Sequence, residues 1–363
     1  MFDTSIALAV LFVLSAVTSY VVTKLVKHAA ERVGAVDHPD DDRRIHLEST
    51  PRLGGLAIIF GFGFPLLLLA GNRHAASLVS KNIGYLCAVL AAGALIVGLG
   101  VYDDVLGADA PRKFTIQTTA AVILVAFGFR FDFISLGGTR LNLGILASVV
   151  SVIWIVGVIN AMNFIDGMDS LCTVVAITIA GAFFVIAFVR GDVFSLVLMT
   201  ALAGSLLGFY PWNKPPAKIF MGDTGSMFIG LLLAADSIVR PTKSPTALIV
   251  GGPMLALALP VLDTLIVMKQ RFSDPHESVL ARLTRMFNAD KRHIHHILVE
   301  KYGSAGKAIF SIWLMTLLFA VAAVLTSTDT LKPAGYGLGA LGLALLIFLR
   351  YWFRRGHAPA VET

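Results

Sequence analysis

The chain has 363 residues, of which 56% are hydrophobic and only 14% are charged, whereas soluble domains carry about 25% charged residues. The mean hydropathy is +0.80. A soluble chain of this length could not bury so much apolar surface, because about a quarter of the unfolded surface stays exposed after folding. These values exclude soluble globular, disordered, fibrous and disulfide-scaffold proteins, and they predict an all-α polytopic membrane protein.

Runs of about 20 apolar residues mark the membrane-spanning helices. About eleven runs are found, near residues 5–27, 53–71, 83–102, 114–130, 143–162, 171–189, 193–211, 219–239, 246–268, 308–326 and 333–353. We interpret the first run as a span, because it is long for a signal peptide and lacks a clear cleavage site. Residues 1–363 then form a single integral-membrane domain, with one long loop over about residues 269–307.

Basic residues set the orientation of these spans. Most of the 29 Lys and Arg residues lie in alternate loops, which face the cytoplasm if the N-terminus is outside. The expected topology is therefore N-out and C-in. Since the basic residues flank spans, the net charge of +6 requires no nucleic-acid partner.

Two segments between spans have a local pattern of their own. Residues 131–143 alternate apolar and polar side chains around a Gly-Gly pair, which predicts a short β-hairpin on the periplasmic side. In the long loop, the Ser-Asp-Pro triplet from Ser273 resembles a helix start. Apolar residues over 279–287 then share one face, which suits a membrane-surface helix or an ordinary helix packed on the bundle.

Acidic and amide side chains at the ends of spans indicate where the chemistry lies. Asp103 and Asp104 are adjacent, so their carboxylates repel unless a cation such as Mg²⁺ lies between them. A solvated cap of the loop is the alternative interpretation.

A second cluster lies in NAMNFIDGMDSL, residues 160–171. Its polar members recur about every third residue, which on a helix places them along one side: Asn160, Asn163, Asp166 and Asp169. No Lys or Arg in this segment neutralises the two carboxylates, so an external cation or donor is indicated.

The third cluster is FMGDTGSMFIG, with Asp223 between two glycines. Glycines allow a ligand to approach the backbone closely, and the start of the following helix favours an anion or a metal-bound phosphate. The segment lacks the Gly-Lys-Ser/Thr ending of a Walker A loop.

The fourth cluster places His293, His295 and His296 beside two basic residues. A zinc site would need a cysteine or carboxylate at ligand spacing, which is missing here. A cationic donor cluster for phosphates fits better, with a solvated helix start as the alternative. Further candidates are Arg52 in the first loop, and Asp263 and Arg271 near the inner end of the ninth span.

The predicted topology brings all four clusters to the cytoplasmic side. Carboxylates for a divalent metal and cations for phosphate are the groups that phosphoryl transfer requires. Their position at the membrane edge indicates one lipid reactant and one soluble reactant. A transporter, the rival hypothesis, would place ionisable residues near mid-span and often shows repeated halves, and neither is found here.

The motifs also resemble one known family. The segments HPDDDRRIHLESTPRLGG, VYDDVLG, NAMNFIDGMDSL, FMGDTGS and DKRHIHH, in this order over about residues 38–303, resemble the polyprenyl-phosphate N-acetylhexosamine-1-phosphate transferases. The His-Ile-His-His pattern is similar to the WecA/TagO-like branch, whereas the MraY-like branch usually carries three consecutive histidines. The sequence departs from the family at Ser170, where a glycine is usual.

The resemblance implies a reaction. Undecaprenyl phosphate would attack the β-phosphorus of UDP-N-acetylglucosamine (UDP-GlcNAc) with Mg²⁺, or with Mn²⁺ as a substitute, and UMP would leave. The product would initiate O-antigen, common-antigen or teichoic-type glycans at the bacterial inner membrane. An MraY-like enzyme acting on UDP-MurNAc-pentapeptide, another UDP-HexNAc, and a homodimer stay open.

Roles follow from motif and chemistry together. Metal ligation is assigned to Asp223 and Asp104. Asp103 would deprotonate or position the lipid phosphate, and direct attack is simpler than a covalent intermediate. The residues expected to hold the nucleotide or metal are Asn160, Asn163, Asp166 and Asp169. The residues expected to bind phosphates are Arg271, His293, His295 and His296 for the diphosphate and Arg52 for the lipid phosphate.

Overall fold

The computed structural model describes residues 2–37, 49–70, 81–136, 139–238, 251–272, 292–328 and 330–355. The helices are α1 (Phe2–Val33), α2 (Gly54–Ala70), α3 (Ile83–Leu106), α4 (Ala110–Ala126), α5 (Leu146–Ile165), α6 (Leu171–Arg190), α7 (Val193–Asn213), α8 (Gly222–Ser237), α9 (Gly251–Ala256), α10 (Ala258–Phe272), α11 (Ile294–Tyr302), α12 (Ala305–Thr326) and α13 (Lys332–Arg355). The strands are β1 (Val36–Asp37), β2 (Thr50–Pro51), β3 (Phe133–Leu136) and β4 (Thr139–Asn142). The predicted all-α class is confirmed.

Seven helices of the described part are long and apolar enough to cross a membrane: α1, α3, α5, α6, α7, α12 and α13. The chain is therefore a multi-pass membrane protein, while the count of eleven and the N-out orientation stay predictions. The predicted ninth span, 246–268, is broken at Leu257 into α9 and α10. Pro260, in the first turn of α10, has no N–H to donate, so a continuous helix would lose a hydrogen bond here.

The predicted hairpin is confirmed. Strands β3 and β4 pair antiparallel, with Phe133 opposite Asn142 and Leu136 opposite Thr139. The hairpin is fastened to α5, since the N–H of Phe131 donates to Ser151 Oγ at 2.8 Å. The helix predicted over residues 273–287 lies outside the described residues.

Helix α8 lies at the centre of the bundle, where it packs against α2, α3, α5 and α6. The first residues of α2 lie beside the chain that leads into α8: the N–H of Gly54 donates to the Phe220 carbonyl at 2.9 Å, and that of Gly55 donates to the Met221 carbonyl at 2.8 Å. Gly55 and Gly225 are so close that a methyl group on Gly55 would overlap the Gly225 backbone. Helices α2 and α8 can meet at this distance only without side chains.

Gly100 provides a matched test of this close packing. A Cβ at Gly100 would overlap the Thr224 backbone at the start of α8, whereas a Cβ at Gly98 would meet no atom within 4 Å. We expect Gly100→Ala to destabilise the protein by about 1–3 kcal/mol, as overpacking does. Gly98→Ala, on the same helix, is expected to be neutral or to stabilise by up to about 1 kcal/mol. Thermal unfolding in detergent measures both; equal melting temperatures would contradict the prediction.

Candidate active site

A cavity of about 300 Å³ lies at one end of the bundle, between α4, α5, α8 and α11. Residues from three of the four predicted clusters line it: Asn160, Asn163, Asp166, Asp223, His293, His295 and His296. The remaining lining residues are Ala110, Lys113, Phe114, Gln117, Phe164 and Gly167. Segments far apart in sequence thus contribute to one polar site.

Lys113 links two of the predicted carboxylates. Its Nζ lies 2.6 Å from Asp103 Oδ2 and 2.6 Å from Asp223 Oδ2. Burial acts to lower the pKa of Lys113, but the charges of Asp223 and Asp103 outweigh it and raise this pKa above its usual value. The ammonium group therefore stays charged and compensates both carboxylates.

Asp104 has a different environment from its neighbour Asp103. Its Oδ1 accepts the N–H of Asp223 at 2.8 Å, and its Oδ2 accepts the N–H and the hydroxyl of Thr224 at 3.0 and 2.6 Å. These are free donors of the first turn of α8, and a carboxylate at this position is favoured by the helix dipole. Asp104 thus anchors α8 to α3, and its role as a metal ligand stays a prediction.

The predicted alignment of the second cluster on one helix face is wrong beyond Asn163. Helix α5 ends at Ile165, so Asp166 caps it and Asp169 lies in the following turn. Ser170 has φ +60°, a left-handed conformation that glycine adopts without strain and other residues adopt at a cost. Residues 166–170 form bends and turns between the two helices, and α6 begins at Leu171.

Asn163 and Asp166 face the cavity, whereas Asp169 does not line it. The Asn163 amide donates to Ser226 Oγ at 3.0 Å and also hydrogen-bonds Asp223. Burial raises the pKa of Asp166 well above its usual range, and the charges of Asp223 and Asp104 raise it further. Asp169 Oδ2 accepts the N–H of Ala217 at 2.9 Å, so it holds the loop between α7 and α8.

Three important residues were missed by the sequence analysis. Asn213 Oδ1 accepts the N–H of Ser170 at 3.1 Å and the Thr173 hydroxyl at 2.8 Å, and this fixes the turn after α5. Lys113 and Gln117 both line the cavity, and Gln117 Oε1 accepts from Asn160 at 2.7 Å. Their spacing of four residues, at the start of an apolar helix, was a signal that they share one face.

The three histidines of the fourth cluster also line the cavity. Within the described part of the chain, His293 Nε2 and both ring nitrogens of His295 are buried without a hydrogen-bond partner. Burial lowers the pKa of His295 to about 3, and the neighbouring His296 adds to this effect. This low pKa disfavours the positive charge that we predicted for His295, and its binding of a phosphate stays a prediction.

Gly167 provides a test of the His295 position. A Cβ at Gly167 would lie 2.5 Å from His295 Nε2, so Gly167→Ala must displace the ring. We expect at least a ~10-fold loss of turnover with little change in melting temperature, since a displacement near 1 Å costs up to about 100-fold. Gly157→Ala is the control, because a Cβ there meets no atom within 4 Å. Unchanged turnover in Gly167→Ala would contradict this role of His295.

Two predicted residues, Arg52 and Arg271, are not among the residues that line the cavity. Arg52 pairs with Asp37 beside the short β1–β2 pair, and Arg271 is buried at the end of α10. Within the described residues no group of three or more His, Cys, Asp or Glu could by itself hold a metal ion. The carboxylates that share Lys113, however, are oxygen donors of the kind that hard divalent cations prefer.

Comparison with known proteins identifies the family of the chain. A sequence profile of glycosyl transferase family 4 matches residues 86–240, which include all the carboxylates described above except Asp37 and Asp263. A probable undecaprenyl-phosphate N-acetylglucosaminyl 1-phosphate transferase of Bacillus subtilis is 33% identical over 334 residues, which are 90% of this chain and 87% of that protein. A decaprenyl-phosphate N-acetylglucosaminephosphotransferase of Mycobacterium leprae is 34% identical over 368 residues, 93% of this chain and 88% of that protein.

A more limited similarity extends to the other branch. A phospho-N-acetylmuramoyl-pentapeptide-transferase of Streptococcus pneumoniae is 31% identical over 231 residues, which are 61% of this chain and 69% of that protein. The two relatives named above are similar over a much larger share of the chain. The chain therefore belongs to glycosyl transferase family 4, within the WecA/TagO-like polyprenyl-phosphate N-acetylglucosamine-1-phosphate transferases.

Proposed function

We propose that the protein transfers N-acetylglucosamine-1-phosphate from UDP-GlcNAc to undecaprenyl phosphate and releases UMP. The reaction would take place at the cytoplasmic face of a bacterial inner membrane and would initiate an envelope glycan of the O-antigen, common-antigen or teichoic type. One observation carries the proposal: a single cavity combines an ammonium shared by two carboxylates with buried histidine nitrogens that have no partner in the described residues. These are groups that bind a diphosphate and its counter-cation.

The transfer needs no covalent intermediate on the protein. An oxygen of the lipid phosphate attacks the β-phosphorus of the donor, and the bond from that phosphorus to the bridging oxygen breaks, so UMP leaves with both bonding electrons. Asp103 and Lys113, 2.6 Å apart, orient the attacking phosphate through the ammonium. His293 and His295 donate hydrogen bonds to diphosphate oxygens, which lowers the cost of charge on the leaving UMP.

Mg²⁺ fits the donor set of this site. Mg²⁺ is usually held by one or two carboxylates together with substrate phosphates, so a ready-made cluster of three protein ligands is not required. Asp223 and Asp103, which both contact the Lys113 ammonium, would hold the Mg²⁺ ion together with the diphosphate. When bound, the ion supplies positive charge to the phosphate oxygens.

The test is UMP release by the purified protein with undecaprenyl phosphate. UDP-GlcNAc and UDP-MurNAc-pentapeptide are offered in parallel, each with Mg²⁺ or with EDTA, and decaprenyl phosphate replaces the acceptor in a further arm. We expect Mg²⁺-dependent UMP from UDP-GlcNAc alone. UMP only from the pentapeptide donor would assign MraY-like specificity instead, and no UMP from either donor would overturn the proposal.

A further inference from the structure

A buried chain of charges connects two helices to the start of α11. Asp263 lies on α10, Arg350 on α13 and His293 directly before α11, and each of these side chains is at most 5% exposed. His293 Nδ1 lies 2.7 Å from Asp263 Oδ2. The other oxygen, Oδ1, accepts the N–H of Ile294 at 3.0 Å and pairs with Arg350 Nη1. Asp263 thus binds both the ring of His293 and the backbone after it.

Arg350 holds the backbone on the other side of the histidine. Its Nη2 donates to the carbonyl oxygen of Arg292 at 2.8 Å, while Nη1 contacts Asp263. The two contacts use the planar fork of the guanidinium, which a lysine could not reproduce. The backbone is therefore fixed immediately before and immediately after His293.

This arrangement determines which ring nitrogen faces the cavity. An ionised carboxylate can only accept hydrogen bonds, so Nδ1 of His293 carries the proton in its contact with Asp263. His293 lines the cavity, and its other ring nitrogen, Nε2, is buried without a hydrogen-bond partner among the described residues. A buried polar atom of this kind is costly unless a ligand satisfies it.

We propose that Asp263 and Arg350 are positioning residues, which hold Nε2 of His293 at the cavity wall. In the imidazolium form of His293, Nδ1 donates to Asp263 and Nε2 donates to a phosphate oxygen of the nucleotide-sugar donor. The inference rests on the proposed function, which supplies that phosphate. Neither Asp263 nor Arg350 lines the cavity. Their effect on turnover therefore passes through His293, and α13, the last helix described, becomes part of the active-site support.

A double-mutant cycle tests this coupling, with Asp263→Asn and His293→Ala in the full-length protein and UMP release as the readout. We expect Asp263→Asn to lower kcat/KM at least ~10-fold in the wild-type background, as the loss of an orienting partner does. In the His293→Ala background we expect a change of less than about twofold, because the residue to be oriented is gone. Equal losses in both backgrounds, or no loss in either, would overturn the proposal.

Asp236→Asn is the matched control. Asp236 is a partly buried carboxylate on α8 that accepts the Ser195 hydroxyl at 2.5 Å, far along the helix from the cavity. The Asp236→Asn substitution should change kcat/KM by the same small factor in the wild-type and the His293→Ala backgrounds. Arg350→Met should follow Asp263→Asn in the same cycle, and Arg350→Lys should restore only part of the loss because a lysine makes one of the two contacts.

A second measurement does not depend on activity. Spectra of protein labelled with nitrogen-15 histidine, assigned by comparison with His293→Ala, report which ring nitrogen is protonated. We expect a protonated Nδ1 at His293 in the wild type and a changed signal in Asp263→Asn. An unchanged signal would overturn the positioning role. A wild type that shows the expected signal but releases no UMP would overturn the proposed function and the phosphate contact alone.

Discussion

Asp223→Asn is expected to reduce UMP release at least ~100-fold, which is the cost of removing one preorganised group that stabilises transition-state charge. The carboxylate of Asp223 lies 2.6 Å from Lys113, hydrogen-bonds Asn163 and lines the cavity. Asparagine keeps the size of the side chain but loses its charge, and with it the attraction for a cation. The measurement is the initial rate of UMP release as a function of Mg²⁺ concentration.

The same helix offers the control for this variant. Asp236→Asn removes a carboxylate about 20 Å away along α8, since 13 residues at 1.5 Å each separate the two positions. It is expected to retain wild-type turnover and Mg²⁺ dependence. Wild-type turnover in Asp223→Asn would show that Asp223 contributes neither to cation binding nor to the transfer.

Lys113→Met is expected to cost a similar factor, at least ~100-fold in kcat, because it removes the positive charge that orients the acceptor phosphate. The stability of the Lys113→Met variant should also depend on Mg²⁺. Asp103 and Asp223 each lie 2.6 Å from the Lys113 ammonium, so its loss leaves two neighbouring carboxylates with no counter-charge between them. Like charges so placed repel strongly in a partly buried site. We therefore expect Mg²⁺ to raise the melting temperature of Lys113→Met more than that of the wild type.

Lys218→Met is the control for the lysine variant. Lys218 lies 5.8 Å from the Trp212 ring and does not line the cavity, so its loss should leave both turnover and the Mg²⁺ effect on melting unchanged. An equal Mg²⁺ effect in Lys113→Met and in the wild type would mean that the two carboxylates do not need the ammonium, and the proposed cation site would then lie elsewhere.

The fold was predictable where one physical rule dominates. Long apolar runs predict helices because backbone groups in lipid must be satisfied internally, and α1, α3 and α12 follow that rule closely. The hairpin followed from the alternation of apolar residues around two glycines. The break between α9 and α10 was missed because the length and hydropathy of an apolar run carry no signal for the backbone hydrogen bond that Pro260 removes.

The sequence identified most residues of the site but not the contacts that these residues make. Asp166, Asp223 and His293 were identified as polar exceptions in an apolar chain, and the structure brings them to one cavity. Lys113 was missed because a lysine beside a predicted span was interpreted only as a signal of topology. Asp263 was noted without a role, since only tertiary structure brings α10 against the start of α11.

The contacts of Asp104 change how mutations in the Asp103-Asp104 pair should be interpreted. Asp104 accepts three donors from the first turn of α8, the helix that also carries Asp223. A substitution at Asp104 therefore shifts the scaffold beneath a neighbouring reactive group, and the resulting inactivity does not identify Asp104 as a reactant. An alanine scan of the pair would therefore report support of α8 at Asp104, whereas the proposed role of Asp103 is the positioning of the acceptor phosphate through Lys113.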